Sequence, residues 1–352
     1  MERRNPNDEL KETHIADHQG LFDRVSLDLG EQRTSVPTNQ LVDEYRNGNY
    51  SHYLEVLAFQ YGRYLTIAGS RGTLPSNLVG LWTVGNSAWT GDYHFNVNVS
   101  NELLAGLMQR ILAECGTTFV DYMDKLREPG RLTAERVHGI EGAVKNHTGF
   151  TVHTENNPFG MTAPTNAQEY GWNPTGAAWA IQNLWWHYEF TQDEAYLKNT
   201  IYPIMKEAAL FWDSYLWTSE YQKINDENSP YNGQNRLVVA PSFSEEQGPT
   251  AVGTTYDQSL VWELYNECIK AGKIVGEDEA LLNHGKKRCK NWIRLRSMIQ
   301  MESRSGMRRH VSDRRTVITS LMHRQEILQK SKFQTADGIS DIWENKDMHL
   351  IW

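Results

Sequence analysis

The sequence predicts an all-α protein in which helix pairs close into a toroid, with loops building a site at one end. An irregular helical bundle is the alternative. Apolar residues recur at helical spacing in several segments of similar length, and long connectors rich in Gly, Pro, Asn and Ser separate those segments. Only one short run, Arg236-Leu-Val-Val-Ala240, reads as a strand.

Leu10, Ile15, Leu21, Phe22 and Val25 place a helix and then a polar connector in residues 10–34. Leu54, Leu57, Ala58, Tyr61, Tyr64 and Leu65 carry a second helical pattern over 39–69. Gly72, Pro75, Gly80, Gly85 and Gly91 mark a loop. Helical text resumes near 112–127 and is expected to stop at Pro129-Gly130. Residues 174–190 and 194–217 form a further pair, with Asp193 as an N-cap. A polar stretch, 219–257, precedes a helix over 257–275, with Asp257 as its expected cap.

Composition narrows the function. The chain has 352 residues with 35 basic and 44 acidic side chains, a formal net charge of −9, which disfavours a non-specific partner for nucleic acid or anionic membrane. Apolar residues make up 39%, enough for a core. Three Cys form no disulfide framework, and none has zinc-ligand spacing. No run reaches the ~18 apolar residues of a membrane span, and Met1-Glu-Arg-Arg-Asn-Pro6 has no apolar leader core, so a cytoplasmic chain is expected as written.

Aromatic type is more telling. The 12 Trp recur beside Asn, His and Gly, as in Gly80-Leu-Trp82 and Tyr170-Gly-Trp172-Asn-Pro174. Flat rings beside short polar groups suit sugars, whose C–H faces stack on rings while their hydroxyls need hydrogen bonds; such Trp residues also fill cores. Gly91-Asp-Tyr-His-Phe-Asn-Val-Asn98 alternates polar side chains at 92, 94, 96 and 98. In an extended segment these share one face and aim a carboxylate, an imidazole and two amides at one ligand or water. A single His makes a metal site a poor fit, and no cofactor is expected. Ala240-Pro-Ser-Phe-Ser-Glu-Glu-Gln-Gly-Pro249 sets two carboxylates in a loop, where desolvation could fit one for general-acid work; two Glu on a loop are also common surface decoration.

At these residues the chain resembles glycoside hydrolase family 95, the family of 1,2-α-L-fucosidases. The stretches are Phe59-Gln-Tyr-Gly-Arg-Tyr-Leu65, Leu74-Pro-Ser-Asn-Leu-Val-Gly-Leu-Trp82, Asp92–Asn98, Trp172-Asn-Pro-Thr-Gly176 and Pro241–Pro249, in family order over roughly 10–285. The resemblance implies an incomplete (α/α)6 toroid with long active-site loops, an inverting mechanism and a fucosylated oligosaccharide or glycan as substrate. It implies Glu246 as general acid, Asn96 and Asn98 as holders of the attacking water, and His94 as a sugar-binding residue; Asp92, Trp82 and Trp172 are expected to join it in binding substrate from their residue types and setting alone. The family's water-activating aspartate, its late His-rich motif and its N-terminal β-domain find no counterpart. The expected divisions are a helical linker over 1–38, a partial catalytic domain over 39–287 and a foreign tail over 288–352.

That tail is basic: residues 286–330 hold 13 Lys or Arg and three acids. A nucleic-acid patch is one reading of such a run. A better one is a slipped reading frame. Asn101–Ala105 written AAT GAA TTA CTG GCC gives Met-Asn-Tyr-Trp-Pro when one base is dropped, the family's text at 100–110. Codons for Asn291–Arg309 read one base earlier likewise give family-like text, so 100–110 and about 288–352 are expected to be out of frame.

Overall fold

Helices account for most of the computed structural model, which describes residues 6–31, 34–72, 74–83, 85–87, 91–98, 113–165, 171–216, 237–244, 250 and 253–292. α1 (Pro6–Phe22) leads to α2 (Thr38–Arg46) and α3 (His52–Gly69). The continuous pattern expected over 39–69 is therefore two helices, parted at Asn47-Gly48-Asn49, where Gly48 takes φ +91°. Ser51 caps α3 by accepting a hydrogen bond from the Leu54 N–H at 3.2 Å. Ser51→Ala is expected to lower stability by about 1 kcal/mol, read as a fall in the urea midpoint without a change in slope.

α4 (Ala113–Arg136) runs through Pro129, against the expected stop. Packing overrides the missing N–H: Gly130 lies so close to Phe150 and Thr151 that an added Cβ would sit 2.9 Å from the Thr151 carbonyl oxygen. The short α5 (Ala143–Asn146) follows, then α6 (Gly176–Thr191), α7 (Glu194–Tyr196), a π turn at Leu197–Ile201 and α8 (Tyr202–Tyr215). Asp193 caps α7 as expected, accepting from the Tyr196 N–H at 2.9 Å. α9 (Thr255–Val275) and α10 (Glu279–Lys290) complete the described helices.

α6 is the hub. It is buried along nearly its whole length, including Ala177, Ala178, Ile181, Leu184 and Trp185, and packs on α4, α8 and α9. Phe119, Tyr122 and Met123 of α4, Phe211 and Trp212 of α8, and Val261 and Leu264 of α9 close the core around it. Each such side chain removed from water stabilises by roughly 1.5–3 kcal/mol, so these four helices carry the stability. At its start, Gly176 admits no side chain: a Cβ would fall 2.6 Å from the Val152 carbonyl oxygen and 3.3 Å from Phe95. The core thus touches the 92–98 segment directly.

A two-stranded antiparallel ribbon, β1 (Tyr93–His94) with β2 (Glu155–Asn156), is the sheet among the described residues. The strand-like run 236–240 contributes an isolated bridge, Leu237 to Trp292. The boundary expected at 287/288 falls inside α10, and beyond it Trp292 is buried and donates from Nε1 to the Gln258 carbonyl at 3.0 Å. Among the described residues no helix is long and apolar enough to cross a membrane.

Candidate active site

The site grows from the β1–β2 ribbon. Tyr93 and Phe95 are buried in the core, Tyr93 against Tyr122 with ring centroids 4.5 Å apart. Tyr122 donates its hydroxyl to Asn156 Oδ1 at 2.7 Å, and Asn156 Nδ2 donates to the Tyr93 carbonyl at 2.8 Å. Burial raises the Tyr122 hydroxyl pKa far above its ordinary value, so it stays a donor. The register sets His94 opposite Glu155.

Asp92 Oδ1 lies 2.6 Å from His94 Nδ1, which fixes the imidazole's plane. Asp92, His94 and Glu155 each offer one ligand atom, all within 4.8 Å of one another. Two carboxylates and an imidazole so gathered could take a divalent ion, or bind neighbouring hydroxyls of a sugar. The sequence reading missed Glu155 because only strand pairing brings it to His94. Its setting in Val152-His-Thr-Glu-Asn-Asn157, a polar run after a buried stretch, was the available signal.

Past His94 the segment turns instead of continuing as the extended strand that its alternation led one to expect. The Asn96 N–H donates to the His94 carbonyl at 2.8 Å, and the Asn98 N–H to Asn96 Oδ1 at 3.0 Å. Asn side chains readily bond backbone two residues on, and this local bond outcompetes the strand. Asp92 thus bonds the His94 ring and Asn96 the backbone of Asn98, with Asn96 buried and Val97 exposed.

The two expected tryptophans differ. Trp82 is half exposed, its ring folded over Gly80, in a loop stitched to the site by Leu78 N–H to the Asp92 carbonyl at 3.1 Å. Trp172 is buried, its ring 5.3 and 5.4 Å from those of His138 and His153. These histidines stack, their Nε2 atoms 3.0 Å apart. The Asn173 N–H donates to His153 Nδ1 at 2.9 Å, so His153 carries its proton on Nε2 and gives it to His138. Burial pushes His138 down to about 3 and His153 well below the usual histidine range, so both are neutral.

Asn173 begins a buried polar chain toward the second loop. Its Nδ2 donates to the Phe95 carbonyl at 3.2 Å, and its Oδ1 meets Thr175 Oγ1 at 2.7 Å. Thr175 Oγ1 is also 2.7 Å from Asp257 Oδ1, while Asp257 Oδ2 accepts from the Ser242 hydroxyl at 2.6 Å and the Phe243 N–H at 3.1 Å. Asp257 is therefore not the helix cap; Thr254 caps α9, accepting from the Asp257 N–H. Glu246, with Glu245, and the 100–110 and 293–352 segments lie outside the described residues.

The helices thus surround one core, and a loop bearing a carboxylate, an imidazole and two amides lies beside the half-exposed ring of Trp82. Residues 6–314 match the Glycosyl hydrolase family 95 catalytic domain, and the chain belongs to that family. It is 37% identical over 279 residues to "Probable alpha-fucosidase A" of Aspergillus niger (strain ATCC MYA-4892 / CBS 513.88 / FGSC A1513), covering 77% of this chain and 33% of the relative. It is 29% identical over 280 residues to "Alpha-L-fucosidase 2" of Arabidopsis thaliana, covering 76% of this chain and 31% of the relative. The chain spans about a third of the length of the curated relatives it matches.

Proposed function

We propose that this chain carries the substrate-holding part of an inverting α-L-fucosidase-type glycosidase acting on terminal fucose of oligosaccharides or glycans. The observation that supports it best is the Asp92–His94 pair at the β1–β2 ribbon, followed directly by the Asn96–Asn98 turn, in a chain of family 95. Glu246 protonates the leaving oxygen. Asn96 and Asn98 hold the attacking water on the opposite side of the sugar, and His94, Asp92 and Trp82 engage its hydroxyls and ring. Trp172 acts by bracing the histidine pair behind the ribbon.

An amide has no basic lone pair to take the water's proton, so inversion needs a second carboxylate roughly 6.5–9.5 Å from the acid. The resemblance assigns it to an aspartate whose motif is not in this sequence. The chain as written therefore binds the sugar and cleaves it only in traces. The segments 100–110 and about 288–352 are read as out of frame, a reading that the DNA around codons 100 and 288 decides.

The test compares this chain with a frame-corrected version on a 2′-fucosylated oligosaccharide, with Glu246→Ala in each. The corrected protein is expected to release fucose, and Glu246→Ala to slow it by about 10²–10⁴-fold. Binding of fucose without release in both versions would favour a sugar-binding role instead. An active corrected protein indifferent to Glu246→Ala would remove Glu246 from the mechanism.

A further inference from the structure

The chain from Phe95 to Phe243 has one hydroxyl proton too few. Thr175 Oγ1 sits 2.7 Å from Asn173 Oδ1 and 2.7 Å from Asp257 Oδ1, and a hydroxyl donates only once. Asn173 cannot turn its amide over, because Nδ2 donates to the Phe95 carbonyl, and the reversed amide would set two acceptors face to face. Were Asp257 ionised, Thr175 would give its proton to Asp257 and leave Asn173 Oδ1 against a bare oxygen. The balance closes only if Asp257 Oδ1 carries a proton. It then donates to Thr175, Thr175 donates to Asn173 Oδ1, and Asn173 donates to Phe95. The other oxygen, Oδ2, only accepts, from Ser242 and the Phe243 N–H.

We propose that Asp257, held as a neutral acid, is a positioning residue of this site: it ties the loop that leads to Glu246 to the loop that carries Asn96 and Asn98. One of its oxygens grips Phe243, three residues before Glu246. The other reaches, through Thr175 and Asn173, the carbonyl of Phe95, the residue before Asn96. Asp257, Asn173, Thr175 and Ser242 are all buried, so every link is shielded from competing water. Burial raises the Asp257 pKa to about 6 against the hydrogen bonds that lower it, so the neutral form that the proton count requires is the majority form in mild acid, near pH 5, where hydrogen exchange is compared. The catalytic meaning of the tie rests on the glycosidase reading; the tie itself does not.

Asparagine reproduces a neutral acid whose two oxygens have separate duties: Nδ2 replaces the donating Oδ1–H, and Oδ1 replaces the accepting Oδ2. Asp257→Asn is therefore the conservative variant. Asp257→Ala and Thr175→Val cut the chain, and Leu264→Ala, buried on the same helix, serves as a comparator for general loosening. Hydrogen exchange is followed in the peptides covering 93–98 and 237–244 of this chain, with fucose release by the frame-corrected protein as a second readout.

Thr175→Val is expected to speed exchange in 93–98 by about tenfold, equivalent to one lost hydrogen bond near 1.4 kcal/mol. Asp257→Ala should loosen both peptides, Asp257→Asn should stay within about threefold of the parent, and Leu264→Ala should not single out these peptides. In the corrected enzyme the cut variants should lower kcat with little change in KM, and Asn should restore it. Loosening by Asp257→Asn equal to that by Thr175→Val would show an ionised Asp257 and overturn the proposal. So would an unchanged 93–98 peptide in Thr175→Val. If Asp257→Ala fails to fold, the contrast between Thr175→Val and Asp257→Asn still decides. A parent without fucosidase activity would sink the glycosidase reading and leave the exchange result standing.

Discussion

Glu267→Gln is expected to stabilise the protein strongly at alkaline pH and hardly at all in mild acid. Glu267 lies on α9 at 2% exposure, and its Oε2 has no hydrogen-bond partner among the described residues. Desolvation, aided by the neighbouring charge of Glu263, raises its pKa from the ordinary 4.5 to about 8. Between these values the unfolded chain has already lost the proton that the folded chain keeps. The stability held by the protonated form is complete below about 4.5 and drains away as pH rises through about 8. Glutamine is neutral throughout and escapes that loss. The gain of the variant over the parent should grow by about 4 kcal/mol between pH 4.5 and pH 9, measured by urea unfolding at each pH. A gain that does not vary with pH would show that Glu267 is solvated or paired.

Glu207→Ala should be among the most damaging single changes outside the site. Glu207 of α8 is 4% exposed and receives both Arg127 and Arg131 from α4, with Arg127 Nε and Arg131 Nη2 each 2.8 Å from Oε2. Removing the carboxylate leaves two guanidinium groups crowded at a half-sealed helix interface. Breaking such a buried pair from one side costs about 3–5 kcal/mol, whereas the exposed Arg46–Asp43 pair is worth at most about 1 kcal/mol. The check is the unfolding midpoint of Glu207→Ala beside Glu207→Gln, which keeps acceptor and volume and should recover part of the loss. Equal midpoints for the parent and Glu207→Ala would refute this role.

Helix existence was legible in the sequence wherever an apolar stripe had enough turns to repeat. The text over 257–275 became α9 at 255–275, and the pair around Asp193 became α6 and the α7–α8 run. Misses came where tertiary contact outvoted local preference. Pro129 reads as a stop, yet the packing of Gly130 on Phe150 and Thr151 keeps α4 going. Asp257 reads as a cap by position, but its carboxylate turns inward to partners on segments far along the chain. In the site, residue types at 92–98 were readable because they cluster in sequence. Glu155 was not, because a two-residue ribbon leaves almost no periodic trace.

Gly176 has a mechanical consequence. The distance between the hydrophobic core and the 92–98 loop is set by atoms in contact, where a single methyl group would meet the Val152 carbonyl at 2.6 Å. Hard-sphere contact has no dependence on dissolved ions. The links that continue from it, through Asn173 and Thr175, are between neutral groups. The α4–α8 clamp, by contrast, joins formal charges that still touch solvent. The position of the loop is therefore set by contact rather than by charge, and its shape is in effect a gauge block machined into the start of α6.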